Sequence, residues 1–205
     1  MTAPPISPTC CGRWAVSKAF AGCGSPVPIP TISRPGWSRR YTREGYLDCV
    51  ARLRAAVPDI ALTTDIIVGF PGETEAQFLE TCSLVEEVGF DDAYTFKYSP
   101  RDGTPATRIP DAVPDDVSGE RLQRLIAIVR DVARRKNLGL VGSTHEVLVE
   151  GPAKRGDALQ TRTRTNKIVL IEGPGDWIGR YRSVRLTGTT GSTFGGPSSH
   201  PAPFP

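Results

Sequence analysis

Thr64-Asp65-Ile66-Ile67-Val68-Gly69-Phe70-Pro71-Gly72-Glu73-Thr74 holds the end of an apolar run, a glycine-bounded turn and the opening of a helix. The run begins at Ile60–Leu62 and resumes at Ile66–Val68. Its length and β-branched content predict a buried strand. Gly69-Phe70-Pro71-Gly72 ends it. Thr74 and Gln77 then form a capping-box pair, and Phe78, Cys82, Val85 and Val88 give the following helix one apolar stripe. A strand that passes through a tight turn into a helix is the building unit of a parallel sheet.

Upstream, Tyr46, Val50, Leu53 and Val57 recur at three- and four-residue spacing, which predicts a helix over Thr42 to Val57, closed by Pro58. Downstream, Ala93 to Tyr98 alternates as a second strand. A loop with Pro100, Gly103, Pro105, Pro110 and Pro114 follows. Leu122, Leu125, Ile126, Val129 and Val132 then mark a long helix whose end is basic at Arg134, Arg135 and Lys136, as the helix dipole favours. Helix–strand–helix–strand–helix implies an α/β fold with parallel strands and right-handed crossovers. A closed eight-stranded barrel needs roughly 250 residues, so this stretch is too short for one.

After Gly139 the pattern changes. His145–Glu150, Ile168–Ile171 and Tyr181–Leu186 read as short strands, with turns at Gly151-Pro152, Gly156-Asp157 and Gly173-Pro174-Gly175. This spacing predicts a small antiparallel β-barrel of the oligonucleotide-binding (OB-like) kind. The expected division is an irregular segment over 1–39, an α/β unit over 40–137, a β unit over 138–196 and a disordered tail over 197–205.

The chain has 205 residues, 39% of them hydrophobic and 23% charged, enough for a real core. The longest apolar candidate, Ile60 to Phe70, is interrupted by Asp65, so no membrane span is expected. Neither a secretory signal nor a disulfide framework is visible, and a cytoplasmic location is expected. The net charge of +3 conceals an asymmetry. Residues 41–118 carry 15 acids against six bases, residues 119–187 seven acids against 14 bases, and residues 1–40 five bases and no acid. A basic unit joined to an acidic one points to an anionic partner such as nucleic acid, or else to solvated helix faces.

Three places could carry chemistry. In parallel sheets ligands sit outside the carboxyl ends of the strands, beside helix N-termini. There Gly69 and Gly72 permit close backbone approach and Glu73 could accept a hydrogen bond from an amine; a plain turn with Asp65 and Glu73 solvated explains the same residues. Tyr98-Ser99-Pro100-Arg101 offers hydroxyls and a guanidinium to the same edge, or is simply a rigid connector. In Thr161–Lys167, alternation puts Arg162, Arg164 and Asn166 on one face and the threonines on the other. Such donors suit phosphates and base edges, and equally a soluble edge strand. Cys49 and Cys82 fall in the patterned helices as packing residues. Cys10, Cys11 and Cys23 match neither zinc nor cluster spacing, and no metal ligand or catalytic residue is assigned.

Five motifs in order then carry a resemblance: Tyr41–Tyr46 (YTREGY), Thr64–Thr74 (TDIIVGFPGET), Phe96–Ala106 (FKYSPRDGTPA), Glu120–Leu125 (ERLQRL) and Arg162–Val169 (RTRTNKIV). Together they resemble the radical-SAM methylthiotransferases, in their tRNA-modifying branch, from about Arg40 to Gly196. The resemblance implies the C-terminal part of a radical-SAM partial (β/α) barrel followed by a TRAM domain, the family's RNA-binding barrel. It implies an enzyme family that inserts sulfur and a methyl group on isopentenylated adenosine beside the anticodon, with S-adenosyl-L-methionine and two [4Fe–4S] clusters as cofactors and the tRNA anticodon stem-loop as partner. By the same resemblance Asp65, Ile67, Gly69, Pro71, Glu73, Tyr98, Ser99 and Arg101 are expected to seat S-adenosyl-L-methionine. Arg162, Arg164, Thr165, Asn166, Lys167, Arg180 and Arg182 are expected to hold RNA.

The family's C-x3-C-x2-C cluster loop does not occur in this sequence, and residues 1–39 match nothing in the family. A truncated or frameshifted, inactive product is therefore expected, with a non-catalytic RNA-binding module as the alternative. A monomer is expected, prone to aggregate through an edge of the Ile60–Val68 strand left uncovered by missing neighbours.

Overall fold

The structure is a computed structural model that describes residues 25–26, 42–101, 103–154 and 156–196. The expectations for residues 1–39, Ser25 and Pro26 apart, and for 197–205 lie outside the described residues. The architecture is mixed α/β.

The first unit runs β1 (Ser25–Pro26), α1 (Arg43–Ala56), β2 (Leu62–Val68), α2 (Glu75–Val88), β3 (Asp92–Lys97) and α3 (Asp115–Leu138). Its caps follow from the sequence. Thr42 Oγ1 accepts from the Gly45 amide at the start of α1. Thr74 and Gln77 exchange both capping-box bonds at α2, satisfying two amides that the helix itself leaves unpaired. Gly89 ends α2 in the left-handed region, at φ 62°. The long helix α3 begins right after Pro114, seven residues before Leu122, because acidic Asp115 and Asp116 suit its first turn.

β1, β2 and β3 form a parallel sheet in that order. Among the described residues, only one of its faces is packed. Leu62, Ile66 and Val68 join Val50, Phe78, Val85, Leu125 and Val129 in a single core beneath the three helices. The opposite face presents Ile67, Tyr94 and Phe96, which are 46%, 60% and 51% exposed, beside exposed Asp65. Strand β1 covers the expected bare edge of β2 at Leu62 and Thr63.

The second unit is a six-stranded curled sheet: β4 (Thr144–Pro152), β5 (Leu159–Thr163), β6 (Ile168–Ile171), β7 (Tyr181–Arg185), β8 (Gly188–Thr189) and β9 (Thr193–Gly196), in the order β7-β4-β5-β6-β9-β8. Its two edge strands, β7 and β8, are separated by only two residues of chain, so the sheet must curl until its edges meet. Val147, Val149, Val169, Ile171, Val184, Leu186 and Phe194 fill the inside. One detail corrects the expectation. The sheet is not wholly antiparallel, since β6 and β9 pair in parallel. The uncharged segment from Gly188 supplies two strands and buries Phe194, because small residues let β9 lie close to Val184 and Ile171.

One buried cluster ties the two units together. Asp91, just before β3, accepts from Lys167 Nζ at 2.8 Å and Lys136 Nζ at 2.6 Å. Lys167 Nζ also donates to Asn137 Oδ1 at 2.8 Å, and Asn137 Nδ2 donates to the Gly191 carbonyl at 2.6 Å. The Asp91 and Lys167 side chains are 7% and 9% exposed. Burial pushes the Asp91 carboxyl up, but the hydrogen bonds from the two lysines outweigh it and hold the group below its usual range.

Candidate functional site

At the carboxyl end of β2 the expected ligand residues separate into two groups. Asp65 and Ile67 are exposed on the open face, and Ser99 and Arg101 are exposed beyond β3. Gly69, Pro71 and Glu73 are buried, and Tyr98 is half-buried against Phe70, with ring centroids 5.1 Å apart. The Tyr98 hydroxyl is buried with no hydrogen-bond partner among the described residues.

Glu73 is already engaged within the chain. Its Oε2 accepts from the Gly69 amide at 2.8 Å and from Arg121 Nη1 at 2.9 Å, and its side chain is 5% exposed. Arg121 Nη1 also donates to the Glu73 carbonyl and Nε donates to Glu75. A carboxylate placed where water cannot reach it must be neutralised, and an α3 arginine does so here. The turn is thus locked to α3. Gly69, at φ +74°, completes the lock: a Cβ there would overlap Ser118 of α3, lying 2.8 Å from its Cβ.

Cluster ligation does not fit the described residues, which contain no group of three His, Cys, Asp or Glu able to hold a metal ion. Cys82 lies in the helix core, where burial pushes its thiol up to about 11, the opposite of what a thiolate ligand needs. Cys49 is half-buried on α1.

On the curled sheet Arg162 and Asn166 of the expected RNA residues are drawn together, with Arg164 in the loop between them. Strand β5 stops at Thr163. Arg164, Thr165 and Asn166 form a tight loop in which the Asn166 amide donates to the Thr163 carbonyl and the Thr163 amide to the Lys167 carbonyl. Asn166 takes the left-handed φ of 64° that closes such a hairpin. The loop folds Asn166 back onto Arg162, whose Nη1 donates to Asn166 Oδ1 at 2.8 Å. Both arginines carry acidic neighbours: Arg162 Nε donates to Glu150 at 2.6 Å and Arg164 Nε to Glu146 at 3.0 Å. The bond from Arg162 holds the Glu150 carboxyl below its usual range, aided by Gln160. Arg164 remains 74% exposed.

Arg180 is exposed at the start of β7. Arg182 lies half-buried, its guanidinium 4.8 Å from the Trp177 ring centroid. Lys167 departs from the expected set, since its ammonium is consumed at the junction by Asp91 and Asn137. Sequence reasoning missed Asp91, Lys136 and Asn137 as its partners, and no local pattern announces a pairing across 76 residues. It also missed Arg121, although the Glu120–Leu125 segment was singled out.

Residues 140–193 match the TRAM domain family, and the curled sheet is therefore a TRAM domain. The chain is a TRAM-containing α/β protein. Its likeness to curated proteins extends further. It is 55% identical over 150 residues to the tRNA-2-methylthio-N(6)-dimethylallyladenosine synthase of Geobacillus thermodenitrificans, covering 73% of this chain and 29% of that protein. It is 51% identical over 160 residues to the enzyme of that name from Thermoanaerobacter sp., covering 78% and 34%, and 53% identical over 150 residues to that of Moorella thermoacetica. The chain is thus a relative of the tRNA methylthiotransferases over their C-terminal part, and spans about a third of their length.

Proposed function

We propose that this chain is the C-terminal, RNA-holding portion of a tRNA methylthiotransferase, with the TRAM domain as the seat of an anticodon stem-loop. What carries the reading is the coincidence of relatives with that printed function and an outer sheet face where Arg162 and Asn166 meet, with Arg164 exposed in the loop between them. The open face of the parallel sheet is the side from which S-adenosyl-L-methionine would be met, by Asp65, Ile67, Ser99 and Arg101. Gly69, Pro71, Tyr98 and Glu73 shape and brace that edge from within. S-adenosyl-L-methionine, when bound, would supply radical chemistry, and the described residues offer no thiolate set for a cluster. Binding is the activity this reading assigns to the described residues.

Binding of a fluorescein-labelled anticodon stem-loop RNA, followed by anisotropy across a salt series, tests this. Three or four neutralised phosphates in a single-stranded loop give a log–log slope of roughly −2 to −3. The Arg162→Ala/Arg164→Ala variant is expected to bind more weakly and to lower the slope by about 1.4. It also leaves Glu146 and Glu150 without their arginine partners near the phosphates, which adds repulsion. An unchanged affinity in that variant refutes the placement of RNA on this face.

A further inference from the structure

Resting on the RNA reading above, we propose that Tyr181 is a stacking platform for one unpaired nucleobase. Three aromatic residues occur between Leu140 and Gly196: Trp177, Tyr181 and Phe194. Phe194 is 1% exposed inside the sheet. Trp177 is half-buried and has the Arg182 guanidinium over its ring. Tyr181 is 53% exposed and stands outside the inner core, so its ring is the one with an open face.

Its neighbours give that ring a purpose. Tyr181 pairs directly with Leu148, Leu148 with Arg162, and Arg162 with Ile168, across four adjacent strands. Residues opposite one another in a ladder share a face. These four side chains therefore form one row on the outside of the sheet, while the row one residue along (Val149, Thr161, Val169 and Phe194) is buried within it. Two strand spacings place Tyr181 about 10 Å from Arg162. One nucleotide can bridge that gap, with its base on the tyrosine and a flanking phosphate at the guanidinium. Stacking on an aromatic with a nearby arginine is how sheet surfaces hold single-stranded RNA. The surrounding charge favours such an anion, with eight Lys and Arg against five Asp and Glu over residues 140–193.

The experiment compares the unsubstituted chain, Tyr181→Phe and Tyr181→Ala against a labelled anticodon stem-loop RNA and single abasic replacements through its loop. Tyr181→Phe is expected to bind like the unsubstituted chain, and Tyr181→Ala about tenfold or more weakly. Both are expected to melt with the unsubstituted chain, since the ring lies outside the core. One abasic position is expected to weaken the unsubstituted chain by a similar factor and to add nothing in Tyr181→Ala. If Tyr181→Ala binds normally while Arg162→Ala/Arg164→Ala is impaired, the stacking proposal falls and the RNA reading stands. If the unsubstituted chain binds no RNA, both fall.

Discussion

Replacing Asp91 by Asn removes one negative charge from the junction and leaves two ammonium groups facing each other. Asp91 is anchored by four hydrogen bonds: its carboxylate accepts from Lys167 on Oδ1 and from Lys136 and the Leu62 amide on Oδ2, and its own amide donates to the Leu62 carbonyl. An asparagine amide in place of Oδ2 would point donors at donors. Removing one partner of a buried ion pair costs about 3–5 kcal/mol because the remaining charge stays desolvated. Lys167, at 9% exposed, bears that in full, whereas Lys136, at 35%, can turn toward water. The lower end, about 3 kcal/mol, is therefore expected. Urea denaturation followed by circular dichroism measures it, and a second transition should emerge as the two cores cease to melt together. The carboxyl is lowered in the folded state, so its contribution is present above the unfolded value near 3.9 and is lost as pH falls through the folded value. Asp91→Asn should accordingly flatten the acid limb of the stability profile. A loss under about 1 kcal/mol with a single unchanged transition would refute a junction held by this carboxylate.

Two further outcomes follow from the brace at the β2 turn. Arg121→Ala strands the Glu73 carboxylate in a buried site and is expected to cost about 3 kcal/mol in chemical denaturation, against little for the exposed Glu120→Ala beside it. Gly69→Ala forces a Cβ at positive φ into Ser118 and is expected to lower stability by about 2–4 kcal/mol; a melting temperature equal to the unsubstituted chain would show that α3 moves aside freely.

The helices, β2 and β3 could be read from the sequence because each is written locally: Thr42 and Thr74 as caps, Pro58 and Gly89 as stops, and one apolar stripe per element. Strands β8 and β9 could not, since Gly188–Gly196 has two-residue and four-residue strands of small residues whose pairing is set by the curl of the whole sheet. Tyr181 is legible too, since its odd separation of three from Val184 puts the two on opposite faces of β7. The ion pair of Glu73 is not legible in the sequence, because its partner Arg121 lies 48 residues away.

Lys167 links the two sites more closely than the sequence division into two units implies. It directly follows the Arg164–Asn166 loop, and its ammonium is fixed by the same carboxylate that receives the Leu62 amide at the start of β2. Loop residues are ordinarily the most mobile part of a binding surface. Here the loop's exit is pinned by a buried charge, while Asn166 at its end is held by Arg162. The guanidiniums are thereby preoriented relative to the open face of the parallel sheet rather than left to find it. Preorganisation lowers the entropy lost on binding, so under the proposed RNA reading Lys167 would act by holding the loop rather than by touching RNA.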